Sequence, residues 1–64
     1  MKEQLELLID RHGVANILRN MMIICNERSE KLLHENWPDS ALSWATVSKQ
    51  LYKAAKTVNK LQIY

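Results

Sequence analysis

The stretch NWPDS, Asn36 to Ser40, divides the sequence into two long amphipathic segments and so decides the fold. It contains the only proline of the chain, and proline cannot continue the interior of a helix. The ring of Pro38 also disfavours helical backbone geometry at the preceding residue, Trp37. Asp39 or Ser40 can then cap a new helix with a side-chain oxygen. We therefore predict a tight turn here, with a new helix beginning near Ser40.

Two long helices flank this turn, over about residues 14–35 and 40–61. In both segments, apolar or small residues recur at spacings of three and four, which is typical of an amphipathic helix. The first stripe consists of Val14, Ile17, Leu18, Met21, Met22, Cys25, Ser29, Leu32 and Leu33. The second consists of Ala41, Trp44, Val47, Ser48, Leu51, Ala55 and Val58, with Tyr52 beside it. A short turn between two helices of roughly 33 Å each forces them into an antiparallel hairpin.

A shorter helix precedes the hairpin, over about residues 2–11. Its apolar positions Leu5, Leu8 and Ile9 have helical spacing, and Gly13, the only glycine, is a suitable residue to end it. This helix is roughly 15 Å long, so it can cover less than half of the open side of the hairpin. The predicted fold class is therefore all-α, a single helical domain over residues 1–64, in which a short N-terminal helix is followed by a long antiparallel helical hairpin.

A hairpin with one short third helix leaves apolar surface exposed. A chain of 64 residues is only marginally stable alone, and its single cysteine, Cys25, excludes an internal disulfide. Oligomerisation is the simplest remedy, so we predict a homodimeric helical bundle with four long helices at its centre. Trp37 and Trp44 are expected to close the end of that bundle as large core side chains.

The predicted contact surface for self-association or for a partner consists of Met21, Met22, Ile23 and Ile24. At about 100° per residue, the two methionines fall within the apolar stripe and Ile24 lies on its flank. Ile23 points to the far side of the helix, where one exposed apolar residue is also normal. The sequence leaves open whether Ile23 and Ile24 face water or another chain.

A second candidate surface is basic and consists of Lys49, Lys53, Lys56 and Lys60, which share one side of the third helix. Residues 40–64 carry these four lysines and no acid, whereas residues 1–39 carry five Lys and Arg against seven Asp and Glu. Such a face is typical of a solvated helix, and it can also contact phosphates, an acidic protein or an anionic membrane. No arginine or aromatic residue interleaves with the lysines for base readout or stacking. Nucleic-acid binding is therefore the less favoured interpretation of this face, kept as an alternative to a protein interaction.

The sequence contains no evident catalytic apparatus. Cys25 lies in the middle of the apolar stripe, where a packed core thiol is the simplest interpretation. Glu27, Glu30 and His34 share a face at spacings of three and four, but that face is polar, which favours solvated surface over a metal site. Since the only glycine is Gly13, the sequence has no glycine-rich phosphate loop. We predict no enzyme activity and no cofactor.

The expected setting is the cytoplasm. The first ten residues, MKEQLELLID, are charged and amphipathic, unlike a signal peptide. No apolar run approaches the roughly 18 residues that a membrane span requires. A single cysteine also suits a reducing compartment. Together these features favour a non-catalytic protein–protein interaction module or small regulator, with a homodimer as the expected assembly and an acidic protein as a candidate partner.

Three short motifs resemble short uncharacterised helical proteins of bacteria and their phages. The motifs are LLIDRHGVANIL (7–18), IICNE (23–27) and ENW (35–37). In the family, a helix start of Leu-x-x-x-Gly-Leu-Ala type leads to a cysteine-and-glutamate segment and then to an Asn-Trp turn. The resemblance covers roughly residues 5–37 and departs from the family pattern at Pro38 and beyond. It implies a helical layout, and it implies no activity, ligand or catalytic residue.

Overall fold

The computed structural model describes residues 1–61 and shows three α-helices, α1 (Lys2–His12), α2 (Val14–His34) and α3 (Pro38–Leu61). No β-strand occurs within these residues. α2 and α3 pack on each other as an antiparallel hairpin, whereas α1 contacts α2 alone. The predicted all-α chain with a short first helix and a long hairpin is therefore confirmed. Residues 62–64 of the predicted 1–64 domain lie outside the described residues.

The end of α2 is set by Asn36. This residue has a φ of 63°, in the left-handed region that asparagine tolerates better than most residues. The backbone N–H of Trp37 then donates to the carbonyl of Leu32 at 2.8 Å, and the N–H of Asn36 donates to the carbonyl of Leu33 at 3.2 Å. This pair of bonds is a Schellman motif, which satisfies two carbonyls at the end of the helix and turns the chain back.

α3 begins at Pro38, two residues earlier than predicted. Proline suits the first position of a helix because its φ already fits and because an N–H there would have no helical partner. The carbonyl of Trp37 accepts the first helical bond, from the N–H of Ala41 at 3.0 Å. Asp39 and Ser40 therefore lie inside the first turn, and the prediction that one of them caps the helix is wrong. α1 and α2 end within one residue of their predicted ends.

Small side chains form the seam between α2 and α3. The buried residues in the described range are Cys25 and Ser29 of α2 and Ala41, Ser48 and Ala55 of α3. The three seam residues of α3 recur every seven residues, the repeat that keeps one side of a helix against its neighbour. No large side chain within residues 1–61 is fully buried.

Two serine hydroxyl groups bond across this seam. The Oγ of Ser29 donates to the backbone carbonyl of Ala41 at 2.8 Å. The Oγ of Ser48 donates to Oδ1 of Asn26 at 2.7 Å and lies 3.4 Å from the carbonyl of Met22. A short side chain reaches the facing helix only where the two helix axes approach closely. Small seam residues allow that approach.

Larger apolar side chains stay at the surface, because a single layer of two helices has no interior that can hold them. Trp37, expected to close the bundle end, is 61% exposed at the turn, whereas Trp44 is half-buried. α1 buries none of its residues and does not reach α3. It is joined to α2 through Gly13, whose φ of 79° glycine adopts without strain.

Replacement of Asn36 by isoleucine should lower the free energy of unfolding by about 1–2 kcal/mol, because a β-branched residue is strained at a positive φ. Asn36→Gly should keep the stability of the native chain or raise it slightly, since glycine accepts this geometry. Urea unfolding followed by circular dichroism measures both variants. An equal loss of stability in the two would show that the amide side chain, and not the backbone conformation, is required.

Replacement of Ala55 by leucine should lower the free energy of unfolding by about 1–3 kcal/mol, because the narrow seam has no space for the added atoms. Ala54→Leu is the matched control, since Ala54 is exposed and lies outside the seam. Urea unfolding at low protein concentration compares the two. If Ala55→Leu were as stable as Ala54→Leu, the helices would not be held in close contact.

Candidate functional site

The hairpin has two faces, one on each side of the seam. The guanidinium carbon of Arg28 lies 5.0 Å from the ring centroid of Trp44, which places both residues on one face. Asn26 lines a hollow together with Lys49 and Tyr52, which places those three on the opposite face. Positions three, four or seven residues apart follow the same side of a helix. Each remaining outward residue of α2 and α3 can therefore be assigned to one of these two faces by its spacing from Arg28, Trp44, Asn26, Lys49 or Tyr52.

The face that holds Arg28 and Trp44 is apolar. The apolar face, as we define it, consists of Ile17, Met21, Ile24, Trp44, Val47, Leu51 and Val58. Met21, Ile24 and Val47 are each about half exposed, and the remaining four residues are partly buried. No other helix within residues 1–61 packs across both α2 and α3, so this face has no second layer over it.

The structure does not bring together the four residues predicted as a contact surface. Met21 and Ile24 lie on the apolar face, whereas Met22 lines the hollow on the opposite face. Ile23 lies on the side of α2 that points away from α3, because it is about 160° around the helix from the buried Cys25. Helical geometry therefore places the four residues on three different sides of α2.

Four of the seven residues of the apolar face come from α3 and are absent from the predicted contact surface. These four, Trp44, Val47, Leu51 and Val58, belong to the stripe that the sequence assigns to the hairpin core. One signal could have identified them. The apolar stripe of α3 is wide. A helix that packs on only one neighbour needs a narrower stripe.

The opposite face carries a hollow, here called the basic hollow, lined by Met22, Asn26, Ser48, Lys49, Tyr52, Lys53 and Lys56. Three of the four lysines predicted as a basic face thus line one concavity, and Lys60 continues the row one turn further along α3. None of the four forms an ion pair in the part of the chain that the structure describes, where the ion pairs are those of the N-terminus with Glu3 and of Lys2 with Glu6.

Two further residues belong to this face. Tyr52 lies among the lysines, and Nζ of Lys56 is 5.4 Å from the centroid of its ring. The expectation that no aromatic residue interleaves with the lysines is therefore wrong. Arg19 precedes Asn26 by seven residues, so α2 adds a cation to the same face. Arg19 adds its positive charge to the lysine face only because the hairpin places α2 beside α3.

The floor of the basic hollow is polar as well as apolar. Because Oδ1 of Asn26 accepts the hydroxyl hydrogen of Ser48, the amide nitrogen of Asn26 keeps its N–H donors, which have no acceptor within residues 1–61. The lysine ammonium groups add further donors and positive charge. The hollow thus suits a ligand that presents carboxylate or phosphate oxygens.

The candidate chemical groups elsewhere are placed differently. Cys25 is 5% exposed and packs in the seam, as predicted for a core thiol. Among residues 1–61, no three His, Cys, Asp or Glu side chains are grouped so that they could hold a metal ion. Over the same range, no helix combines the length and the apolar character that crossing a membrane requires.

Comparisons with protein-family models, with curated proteins and with solved structures find no significant match. The resemblance of residues 5–37 to short bacterial and phage proteins therefore stays a prediction. The function is inferred from the two faces of the hairpin.

Cys25 should react with a disulfide reagent such as Ellman's reagent at least about tenfold more slowly in the native chain than in urea, because the seam must open first. The absorbance of the released thiolate measures both rates. Ala55→Leu, which loosens the seam, should accelerate the native reaction. A native rate equal to that in urea would show that the thiol is accessible.

Proposed function

We propose that this chain is a non-catalytic protein–protein interaction module that assembles as a homodimer through its apolar face. The observation that carries the proposal is that α2 and α3 bury only small residues against each other, while no further helix within residues 1–61 packs over both halves of the apolar face. Helical domains ordinarily bury their large apolar side chains between two packed layers. A second copy supplies the missing layer and produces a bundle with four long helices.

The heptad pattern of α3 supports a bundle. A two-stranded pair needs only the seam positions of each heptad, whereas a helix in a bundle carries a further apolar row. In α3 both rows repeat every seven residues: Ala41, Ser48 and Ala55 in the seam, and Trp44, Leu51 and Val58 beside it. These three residues of the second row are partly buried beside α2, and within residues 1–61 no further helix packs over them.

The exposed area supports the same assembly. The chain exposes 5445 Å², whereas a compact monomer of its mass of 7.5 kDa exposes about 4,200 Å². The excess of about 1,200 Å² is larger than the roughly 800 Å² that each partner buries in a stable protein–protein interface. One chain thus has enough surplus surface to form a specific dimer.

The border of the apolar face has the composition of an interface rim. Arg28, Lys31 and Glu35 of α2 line a hollow beside Trp44 near the turn. Arg28 lies over the indole ring, so its side chain shields one edge of the apolar face from water. An apolar centre with a polar border is the usual anatomy of a protein–protein interface.

Ile24→Glu should convert the dimer to a monomer, because it places a carboxylate among the exposed side chains of the apolar face. Ile23→Glu is the matched control: it adds the same charge at a position of nearly equal exposure, 48% against 50%, on the outer side of α2. Size exclusion with light scattering at micromolar concentration should give twice 7.5 kDa for the unmodified chain and for Ile23→Glu, and 7.5 kDa for Ile24→Glu.

Circular dichroism of both variants checks that the helices persist, so that a change in mass reports assembly and not unfolding. A mass of 7.5 kDa for the unmodified chain at micromolar concentration would contradict the dimer. Dissociation by Ile23→Glu with no effect of Ile24→Glu would place the interface on the outer side of α2 instead.

A further inference from the structure

We infer that the basic hollow binds an acidic amphipathic helix of a partner protein. This surface lies on the face of the hairpin opposite the apolar face, and it is complete within one chain. The inference therefore goes beyond the proposed homodimer and does not depend on it. In such a dimer, the two basic hollows point outward and stay accessible.

Uncompensated positive charge is the first argument. The hydrogen bond from Ser48 to Asn26 sets the register of the hairpin, so that Lys53 lies beside the part of α2 that precedes Asn26. Glu27 and Glu30 follow Asn26 and lie toward the turn, away from the lysine row. The charge of the hollow is therefore not neutralised by acids of α2 or α3, and it attracts an acidic partner.

The spacing of the lysines is the second argument. Lys49, Lys53 and Lys56 recur at four and three residues, and the row to Lys60 extends roughly 16 Å along α3 at 1.5 Å per residue. Carboxylates at spacings of three and four on a partner helix repeat with the same rise. Such a helix can lie along the groove between α2 and α3 and pair with several lysines at once.

The apolar part of the floor is the third argument, and it specifies an amphipathic partner. Met22 is partly buried in the hollow, and the ring of Tyr52 is 52% exposed beside it. The aliphatic stems of the neighbouring lysines extend this apolar floor. A leucine or similar side chain between the carboxylates of the partner would displace water from Met22 and Tyr52.

The position of Lys56 favours a protein partner over nucleic acid. Single-stranded nucleic acid gains affinity when its bases stack on aromatic rings. Among residues 1–61, Tyr52 is the only aromatic side chain that lines the hollow, and the ammonium group of Lys56 already lies over its ring at 5.4 Å. A carboxylate that binds Lys56 leaves this contact intact, whereas a stacked base competes with it.

The test uses fluorescence polarisation with the 64-residue chain at low salt. The probe is a labelled helical peptide of about 15 residues, roughly four turns, with glutamates at spacings of three and four and leucines on the same side. Two comparison probes are the same peptide with serine in place of each leucine, and a labelled single-stranded DNA of similar charge. The amphipathic peptide should bind at least about tenfold more tightly than either comparison probe.

Variants locate the site. Lys53→Glu should weaken binding of the amphipathic peptide at least about tenfold, because it reverses a charge inside the hollow. Tyr52→Ala should weaken it several-fold and should reduce its advantage over the serine peptide. Lys2→Glu is the control: it makes the same charge change at an exposed position of α1, which makes no contact with α3, and should bind the peptide as tightly as the unmodified chain.

Each of several results would overturn the inference: no binding of the amphipathic peptide, equal binding of the serine peptide, an unchanged affinity in Lys53→Glu, or DNA binding as tight as that of the peptide. The last result would identify the hollow as a nucleic-acid site. Light scattering on the same samples reports the mass separately, so failure of the dimer and failure of the hollow are distinguishable. Circular dichroism confirms that the variants remain helical.

Discussion

The close contact between α2 and α3 is the constraint on which the rest of the structure depends. The hydroxyl groups of Ser29 and Ser48 reach the facing helix at 2.8 and 2.7 Å, a distance that only a seam of small residues allows. Two helices touch along a line and enclose no interior between them. A contact this narrow therefore cannot hold large side chains. The large apolar residues of both helices are therefore displaced to the sides of the seam. The surface chemistry of the molecule is a direct consequence of this displacement.

The antiparallel pairing then gives the two faces opposite characters. The residues beside Trp44 repeat as an apolar row, and those beside Tyr52 repeat as a row of lysines. The two rows belong to the same helix and are separated only by rotation about its axis. A single hairpin thus carries an apolar face suited to assembly and a charged face suited to binding. Because they lie back to back, occupation of one leaves the other free.

The fold could be predicted in large part because its signals are local. Spacings of three and four identify each helix, and Pro38 marks the turn between the two long ones. The start of α3 is displaced from its predicted position because proline both interrupts the preceding helix and suits the first position of the next. The exposure of Trp37 could not be predicted from its residue type, since burial depends on whether a second layer lies over the turn.

The composition of the two candidate surfaces could not be predicted from local sequence patterns alone. Ile23 and Ile24 are adjacent, of the same type and equally exposed, yet about 100° of helical rotation places them on different sides of α2. Which of those sides adjoins the apolar residues of α3 depends on the position of α3. Arg19 and Lys53 likewise lie far apart in sequence and share a face only through the register of the hairpin.

The sequence by itself determined the helices, the turn and the lysine row, because each is set by residues within a few turns of one another. Only the tertiary structure decided that serines and alanines form the seam, which apolar residues of the described chain remain exposed, and that α2 brings Arg19 to the side of the lysines. The physical reason is that a face consists of side chains from two helices. Its composition is defined only when close packing has set the rotation and register of one helix against the other.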